Sequence, residues 1–180
     1  ERLSRMIDNL LFIARTDDID VAIERVSFAA RREMDAVKEF YEAVAAEAKV
    51  RVVCEGDAPV NGDTMLVRRA VSNLLANALK HTIPGGQVTI AARALPDGGA
   101  EIAVRDNGTG IPQEMLPRVF ERFFQVDKSR DLTAKGAGLG LAIVRSIMRL
   151  HGGEATVQSA LGQGTTVTLR FPAGTGVQKM

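Results

Sequence analysis

Residues 87–106 read QVTIAARALPDGGAEIAVRD: two β-rich runs, Gln87–Arg93 and Glu101–Asp106, around the turn Pro96-Asp97-Gly98-Gly99. Proline presets a turn backbone, aspartate bonds locally and glycine accepts left-handed angles, so the stretch predicts a hairpin. A second strand pair closes the chain, Glu154–Ser159 and Thr165–Phe171. Between the pairs, residues 107–136 hold no convincing long element; a stretch of that length inside a compact domain is usually functional, as a lid is. A helix comes next over 139–150, apolar at Leu141, Ile143, Val144, Ile147 and Met148, wet at Arg145 and Arg149, and stopped by His151-Gly152-Gly153. Upstream lie a short strand at Arg25–Phe28 and a helix over 30–48 with Met34, Val37, Tyr41 and Val44 on one side. A strand at Val50–Cys54, a turn-rich connection Glu55–Gly62 and a helix over 64–81 come next. Asp63 suits the N-cap of that last helix. Val67, Ala70, Val71, Leu74, Leu75 and Ala78 form its core side, and Pro84-Gly85-Gly86 ends it. This order predicts an α/β two-layer sandwich, a mixed and mostly antiparallel sheet with helices on one face.

The remainder is small. Residues 1–15 form an amphipathic helix whose Leu3, Met6, Leu10 and Ile13 keep a heptad seam, widened by Ile7, Leu11 and Ala14. So wide a stripe needs a partner, either the rest of this domain or a helical bundle with another chain. Residues 16–23 break the pattern, as a linker does, and Pro172–Met180 reads as a loose tail. The division expected is therefore 1–22 helix end and linker, 23–173 main domain, 174–180 tail. The 180 residues suffice for one well-buried domain and a small appendage. A formal charge of +1 argues against strong attraction to nucleic acid or an anionic membrane. The single cysteine, Cys54, sits in an apolar run and reads as a buried structural thiol; one cysteine allows no internal disulfide. No apolar run approaches the roughly 18–20 residues that span a bilayer. The chain starts at Glu1 within a helical pattern, which reads as a piece of a longer protein.

Four short motifs carry chemistry. Asn73, Asn77 and Lys80 share one helix face. An amide oxygen is a hard ligand suited to Mg²⁺ and a lysine one turn along suits phosphate, although a solvated helix face has the same composition. Asp106-Asn107-Gly108-Thr109-Gly110-Ile111 comes directly after a strand. A carboxylate there accepts from the exocyclic amine of adenine and refuses the carbonyl of guanine, and the glycines let backbone approach a flat ring; an ordinary turn is the other reading. Gly136-Ala137-Gly138-Leu139-Gly140-Leu141 precedes a helix, so its freed N–H groups suit a polyphosphate, or form a flexible hinge. It matches neither a Walker loop nor a dinucleotide fingerprint. Gly162-Gln163-Gly164-Thr165 reads by itself as a hairpin turn.

Taken in order, the motifs resemble those of sensor histidine kinases: NLLANALKHT (73–82) the N box, DNGTGI (106–111) the G1 box, FERFFQ (120–125) the F box, GAGLGL (136–141) the G2 box and GQGTTVTL (162–169) the G3 region. The resemblance covers nearly the whole chain and is nearest to heavy-metal-responsive sensor kinases. ERLSRMIDNLLFIAR (1–15) is similar to the end of the second dimerisation helix of that family. The resemblance implies the Bergerat sandwich shared with gyrase, the Hsp90 chaperones and mismatch-repair ATPases. It implies ATP and Mg²⁺, with Asn77 on the metal and Asn73 beside it. Lys80, with His81 a further candidate, would face the phosphates, and Asp106 the adenine amine, with Gly108, Gly110, Ile111 and Thr165 around it. Gly136, Ala137, Gly138, Leu139, Gly140 and Leu141 would shape the phosphate loop. Phe120, Phe123 and Phe124 would be lid residues, and Arg122 and Arg130 candidates for the γ-phosphate.

The family's ATP hydrolases place a glutamate four residues before the magnesium asparagine. Here that residue is Asn73, and an amide is no general base, so the site suits phosphoryl transfer to an external imidazole. The family's acceptor histidine is absent: His81 lies inside the N box and His151 at a helix end. The resemblance implies a membrane-anchored homodimeric parent in the bacterial inner membrane with this domain in the cytoplasm, relaying the phosphoryl group from its dimerisation domain to a response-regulator receiver domain. A short helix buries too little for a stable dimer by itself, so a monomer is expected. Two other classes compete. One is a hydrolase of the same fold, which Asn73 disfavours; the other is a nucleotide-gated partner-binding module, which four intact boxes disfavour.

Overall fold

A computed structural model describes residues 2–17, 22–125 and 138–174. The elements are α1 (Arg2–Asp17), β1 (Val26–Ala29), α2 (Ala30–Phe40), α3 (Glu42–Ala48), β2 (Arg51–Asp57), β3 (Pro59–Gly62), α4 (Thr64–His81), β4 (Gln87–Ala94), β5 (Ala100–Asp106), α5 (Gly140–Leu150), β6 (Glu154–Ala160) and β7 (Gly164–Phe171). A 3₁₀ turn covers Gln113–Arg118. Five strands form one sheet in the order β2-β4-β5-β7-β6, antiparallel except for the parallel pair β2–β4. Helices cover one face, as the strand order predicts. Alternation decides which side chains face them: Val88, Ile90 and Ala92 from β4, Ile102 and Val104 from β5, and Val167, Leu169 and Phe171 from β7 are buried. On the other face Arg93 and Glu101, cross-strand partners, form an ion pair at 2.9 Å.

The helix over 64–81 is present with Asp63 as its N-cap: the Leu66 N–H donates to Asp63 Oδ1 at 3.0 Å. All six residues expected on its core side are buried, joined by Leu79. Cys54 is buried as expected, and burial pushes its thiol up to about 11, which keeps it protonated.

Three expectations fail. The helix over 30–48 is two helices, broken at Tyr41, whose hydroxyl accepts from Ser72 Oγ of α4 at 3.1 Å. Past the break, Val44 faces solvent instead of the core. The turn-rich connection Glu55–Gly62 extends β2 to Asp57 and supplies β3, which pairs with β1 as a separate two-stranded sheet. Asp57 caps α2 from outside: its Oδ1 accepts the Arg31 N–H at 2.9 Å, where Ala29 has no side chain to offer. Helix α1 extends to Asp17, past the expected start of the linker; residues 18–21 and 175–180 lie outside the described residues. Of the two partners open to α1, its own domain takes Ile13, which is fully buried, and Leu10. Arg69 of α4 stacks over the Phe12 ring at 4.1 Å and donates to Asn9 Oδ1 at 2.8 Å. Ile7 and Leu11 remain about half exposed.

His151 closes the fold. Its Nδ1–H donates to Ile147 O (2.7 Å), while its Nε2 accepts the Asp63 N–H (3.0 Å), so the neutral imidazole ties the end of α5 to the start of α4. The ring meets Phe171 edge-on and is buried, and burial holds its pKa below 6.5. Unfolded chains therefore take up a proton that the folded chain refuses. This stabilisation is complete above pH 6.5 and is lost as pH falls through the lower folded value. We expect His151→Ala to lower the unfolding free energy by about 2–4 kcal/mol through a cavity and an orphaned N–H. Urea denaturation at pH 7.5 and 5.5 should show the native chain losing stability on acidification and the variant losing less.

Candidate functional site

Strand β5 points every second residue inward, and the series Ala100, Ile102, Val104 ends on a carboxylate, Asp106, in the same orientation. Two backbone N–H groups meet its Oδ1, Gly108 at 2.9 Å and Thr165 at 3.3 Å. No hydrogen bond among the described residues falls on Oδ2. Burial holds the carboxyl above the ordinary aspartate value, outweighing these two N–H groups and the nearby His81.

The turn after Asp106 is stitched to three elements. Asn107 exchanges two bonds with Gln87 at the start of β4, its N–H donating to Gln87 O (3.3 Å) and its Oδ1 accepting the Gln87 N–H (2.8 Å). The Thr109 N–H donates to His81 O at the end of α4, and Thr109 O accepts the Gly162 N–H from the β6–β7 turn. The Ile111 N–H donates to Ser159 Oγ at 2.8 Å. Gly110 makes this stitching possible: its φ is +70°, and a Cβ there would sit 1.9 Å from Ala160 O.

Across the layer, Asn73 and Asn77 of α4 face the start of α5. Asn73 Nδ2 donates to Arg69 O at 2.8 Å. A methyl group on Gly140 would stand 3.5 Å from Asn73 Oδ1 and 3.6 Å from Asn77 Nδ2, so the two amides and the N-terminal N–H groups of α5 border one space. Among the described residues no three His, Cys, Asp or Glu side chains cluster as a metal cage. Amide oxygens are hard ligands that fit Mg²⁺, which keeps waters and draws the rest of its shell from phosphate. Lys80 and His81 occupy the exposed last turn of α4.

The segment between the two halves is anchored at its base. The Phe123 N–H donates to Gly138 O at 2.9 Å, and Arg118 stacks on Phe124 at 4.9 Å. Phe120 packs against the core, whereas Phe123 is half exposed at a φ of +62°, and Arg122 is exposed. Leu139 is buried in the core and Leu141 packs against it, so of these two only backbone can face a phosphate. Gly136, Ala137 and Arg130 lie outside the described residues. The fold thus gathers Asp106, Gly108, Gly110, Ile111 and Thr165 in one corner and Asn73, Asn77 and Gly140 in another. Reasoning from sequence passed over Ser159, which touches both Ile111 and Thr165; as one serine in a strand it gives no signal without the register.

A two-layer sandwich with an inward aspartate at a strand end and paired amides facing a glycine-led helix defines a nucleotide-binding class. Residues 62–175 match the family described as histidine kinase-, DNA gyrase B- and HSP90-like ATPases, and the chain belongs to that family. Sensor protein IrlS of Burkholderia pseudomallei is 46% identical over 175 residues, covering 96% of this chain and 37% of IrlS. Sensor histidine kinase CusS of Escherichia coli K12 is 38% identical over 173 residues, covering 96% and 36%. The crystal structure of full-length ShkA in complex with AMPPNP matches with a TM-score of 0.84 at 27% identity, covering 94% of this chain and 35% of that one. The chain therefore spans little more than a third of these relatives. The resemblance to sensor histidine kinases and the sandwich expected from it are borne out.

Gly110→Ala should abolish binding of an ATP analogue and lower the melting temperature, because the new methyl group meets backbone that cannot yield. Gly85→Ala is the control: φ is also positive, +85°, but nothing lies within 4 Å. It should cost about 1 kcal/mol and leave binding intact. Thermal melts and calorimetric titration separate the two.

Proposed function

We propose that this chain is the ATP-binding kinase domain of a two-component sensor histidine kinase. It holds ATP so that the γ-phosphoryl group passes to a histidine on a dimerisation domain, and from there to a response-regulator aspartate. The observation that carries the reading is the inward Asp106 with two backbone N–H groups on Oδ1 and, among the described residues, no hydrogen bond on Oδ2. An ionised carboxylate in that position accepts from the amine of adenine, and the desolvated setting strengthens the bond.

Asn77, with Asn73 beside it, would hold Mg²⁺, whose charge would offset that of the phosphates. The start of α5 would meet the phosphates with N–H groups, and Lys80 would add charge. Asn73 is fixed by its bond to Arg69 O, and its amide is no general base, so Asn73 draws no proton from water. Catalysis on this reading is positioning and charge neutralisation, with the nucleophile supplied from outside. Helix α1, carried on the domain by Arg69 and Phe12, would be the end of the dimerisation domain. In the parent, a membrane-anchored homodimer would keep this domain in the cytoplasm. Among the described residues no helix is long and apolar enough to cross a membrane.

Calorimetric titration with ADP and a non-hydrolysable ATP analogue, with and without Mg²⁺, tests the reading. Micromolar-range binding is expected, with GDP failing to compete. Asp106→Asn should remove binding yet keep or raise the melting temperature, because a buried charge disappears while Oδ1 still accepts the Gly108 N–H. No binding by the folded native chain would sink the proposal. Because burial raises the Asp106 pKa and the ionised form is the stronger acceptor, affinity should begin to fall at a pH above the one at which an ordinary aspartate titrates. Incubation with ATP alone should leave the chain unphosphorylated, whereas a supplied dimerisation fragment bearing the acceptor histidine should become labelled.

A further inference from the structure

Three strands end side by side at the Asp106 corner. Asp106 of β5 is the cross-strand partner of Thr165 of β7, and Thr165 is the partner of Ser159 of β6. Paired residues in a sheet project to the same face, so the three polar side chains form a row on the helix-facing surface.

One assignment of hydrogens satisfies every short contact in this row. A hydroxyl has one hydrogen and two lone pairs. Ser159 donates its hydrogen to Gly164 O at 2.7 Å and accepts the Ile111 N–H at 2.8 Å. Its second lone pair faces Thr165 Oγ1 at 2.9 Å. The carbonyl of Gly164 can only accept, so the Ser159 hydrogen is committed there, and the hydrogen between the two hydroxyls comes from Thr165. The Thr165 oxygen is left with lone pairs alone for anything that approaches, as Asp106 Oδ2 is.

We propose that Ser159 is a positioning residue that locks the Thr165 hydroxyl as an acceptor, making this edge of the pocket acceptor-only and selective for a purine with a 6-amino group over one with a 6-oxo group. The inference rests on the adenine reading of Asp106. With Ser159 in place, a 6-oxo purine meets lone pairs from both Thr165 and Asp106. Without it, the Thr165 hydroxyl can turn its hydrogen towards the oxo group, and the discrimination relaxes.

The experiment is calorimetric titration of the native chain and its variants with ADP and with IDP in Mg²⁺, with melting temperatures recorded for each. Ser159→Ala should weaken ADP about five- to tenfold, the worth of one hydrogen bond, and narrow the ADP-to-IDP preference. Ser159→Thr, which keeps the hydroxyl, should hold the native preference. In a Thr165→Val background, Ser159→Ala should narrow it no further. A folded Ser159→Ala with the native preference overturns the lock, as does a further narrowing when Ser159→Ala is added to Thr165→Val. If Ser159→Ala fails to fold, Thr165→Val decides: it must narrow the preference, and an unchanged preference overturns the inference. Asp106→Asn tells this failure from a deeper one. Loss of ADP binding in Asp106→Asn beside an unmoved Ser159→Ala removes only the lock. Unaltered ADP binding in Asp106→Asn, or none by the native chain, removes the adenine reading and the lock together.

Discussion

The structure depends on one carboxylate turned inward where the chain could have kept it in water. Asp106 continues the series Ala100, Ile102, Val104 on the helix-facing side of β5, and a buried charge is costly unless bonded. The Gly108 and Thr165 N–H groups meet that cost from opposite directions, one from the adjoining turn and one from the neighbouring strand. They do not meet it fully, because burial still raises the pKa. On the reading proposed above, an amine donor would meet the remaining deficit. The close approach of Gly110 to Ala160 has the same origin, since the turn must fold tightly back over the β6–β7 hairpin to bring its N–H groups into place.

The second corner has a different character. Asn73 and Asn77 are amides on a helix whose buried residues are all apolar, and they face the start of α5. The two corners stay in register because α4 and α5 are tied at their far ends. Neutral His151 joins the start of α4 to the end of α5, and Arg25 reaches the same turn, donating to His151 O and Leu150 O. This histidine is thus a clamp, held neutral by burial and by using one ring nitrogen as donor and the other as acceptor.

Helix α1 rests on α4 at one residue, Arg69. Its Phe12 and Asn9 hold the side chain of Arg69, and the backbone carbonyl of Arg69 receives the Asn73 amide. Burial lowers the Arg69 pKa, as expected where a guanidinium rests on an aromatic face. A single residue of α4 therefore bears both the helix that would lead to the dimerisation domain and an amide of the proposed metal corner.

The sequence by itself determined the elements that are periodic, punctuated or both. The helix over 64–81 announced itself through Asp63, an apolar stripe and Pro84-Gly85-Gly86, and the two hairpins through their glycine turns, because these signals act within a few residues. The order of the four motifs was equally legible, being a property of the chain. Tertiary structure decided what depends on distant partners. The helix breaks at Tyr41 with no glycine or proline there, because the ring is held by Ser72 of α4. The run Glu55–Gly62 has turn composition yet forms strand, because β4 supplies a partner for Glu55–Asp57 and β1 for Pro59–Gly62. Val44 faces solvent because the break at Tyr41 rotates α3 relative to α2. Ser159 acquires meaning only when register sets it beside Thr165 and Thr165 beside Asp106, since a hydrogen-bond row across three strands is written in pairing and has no trace in linear spacing.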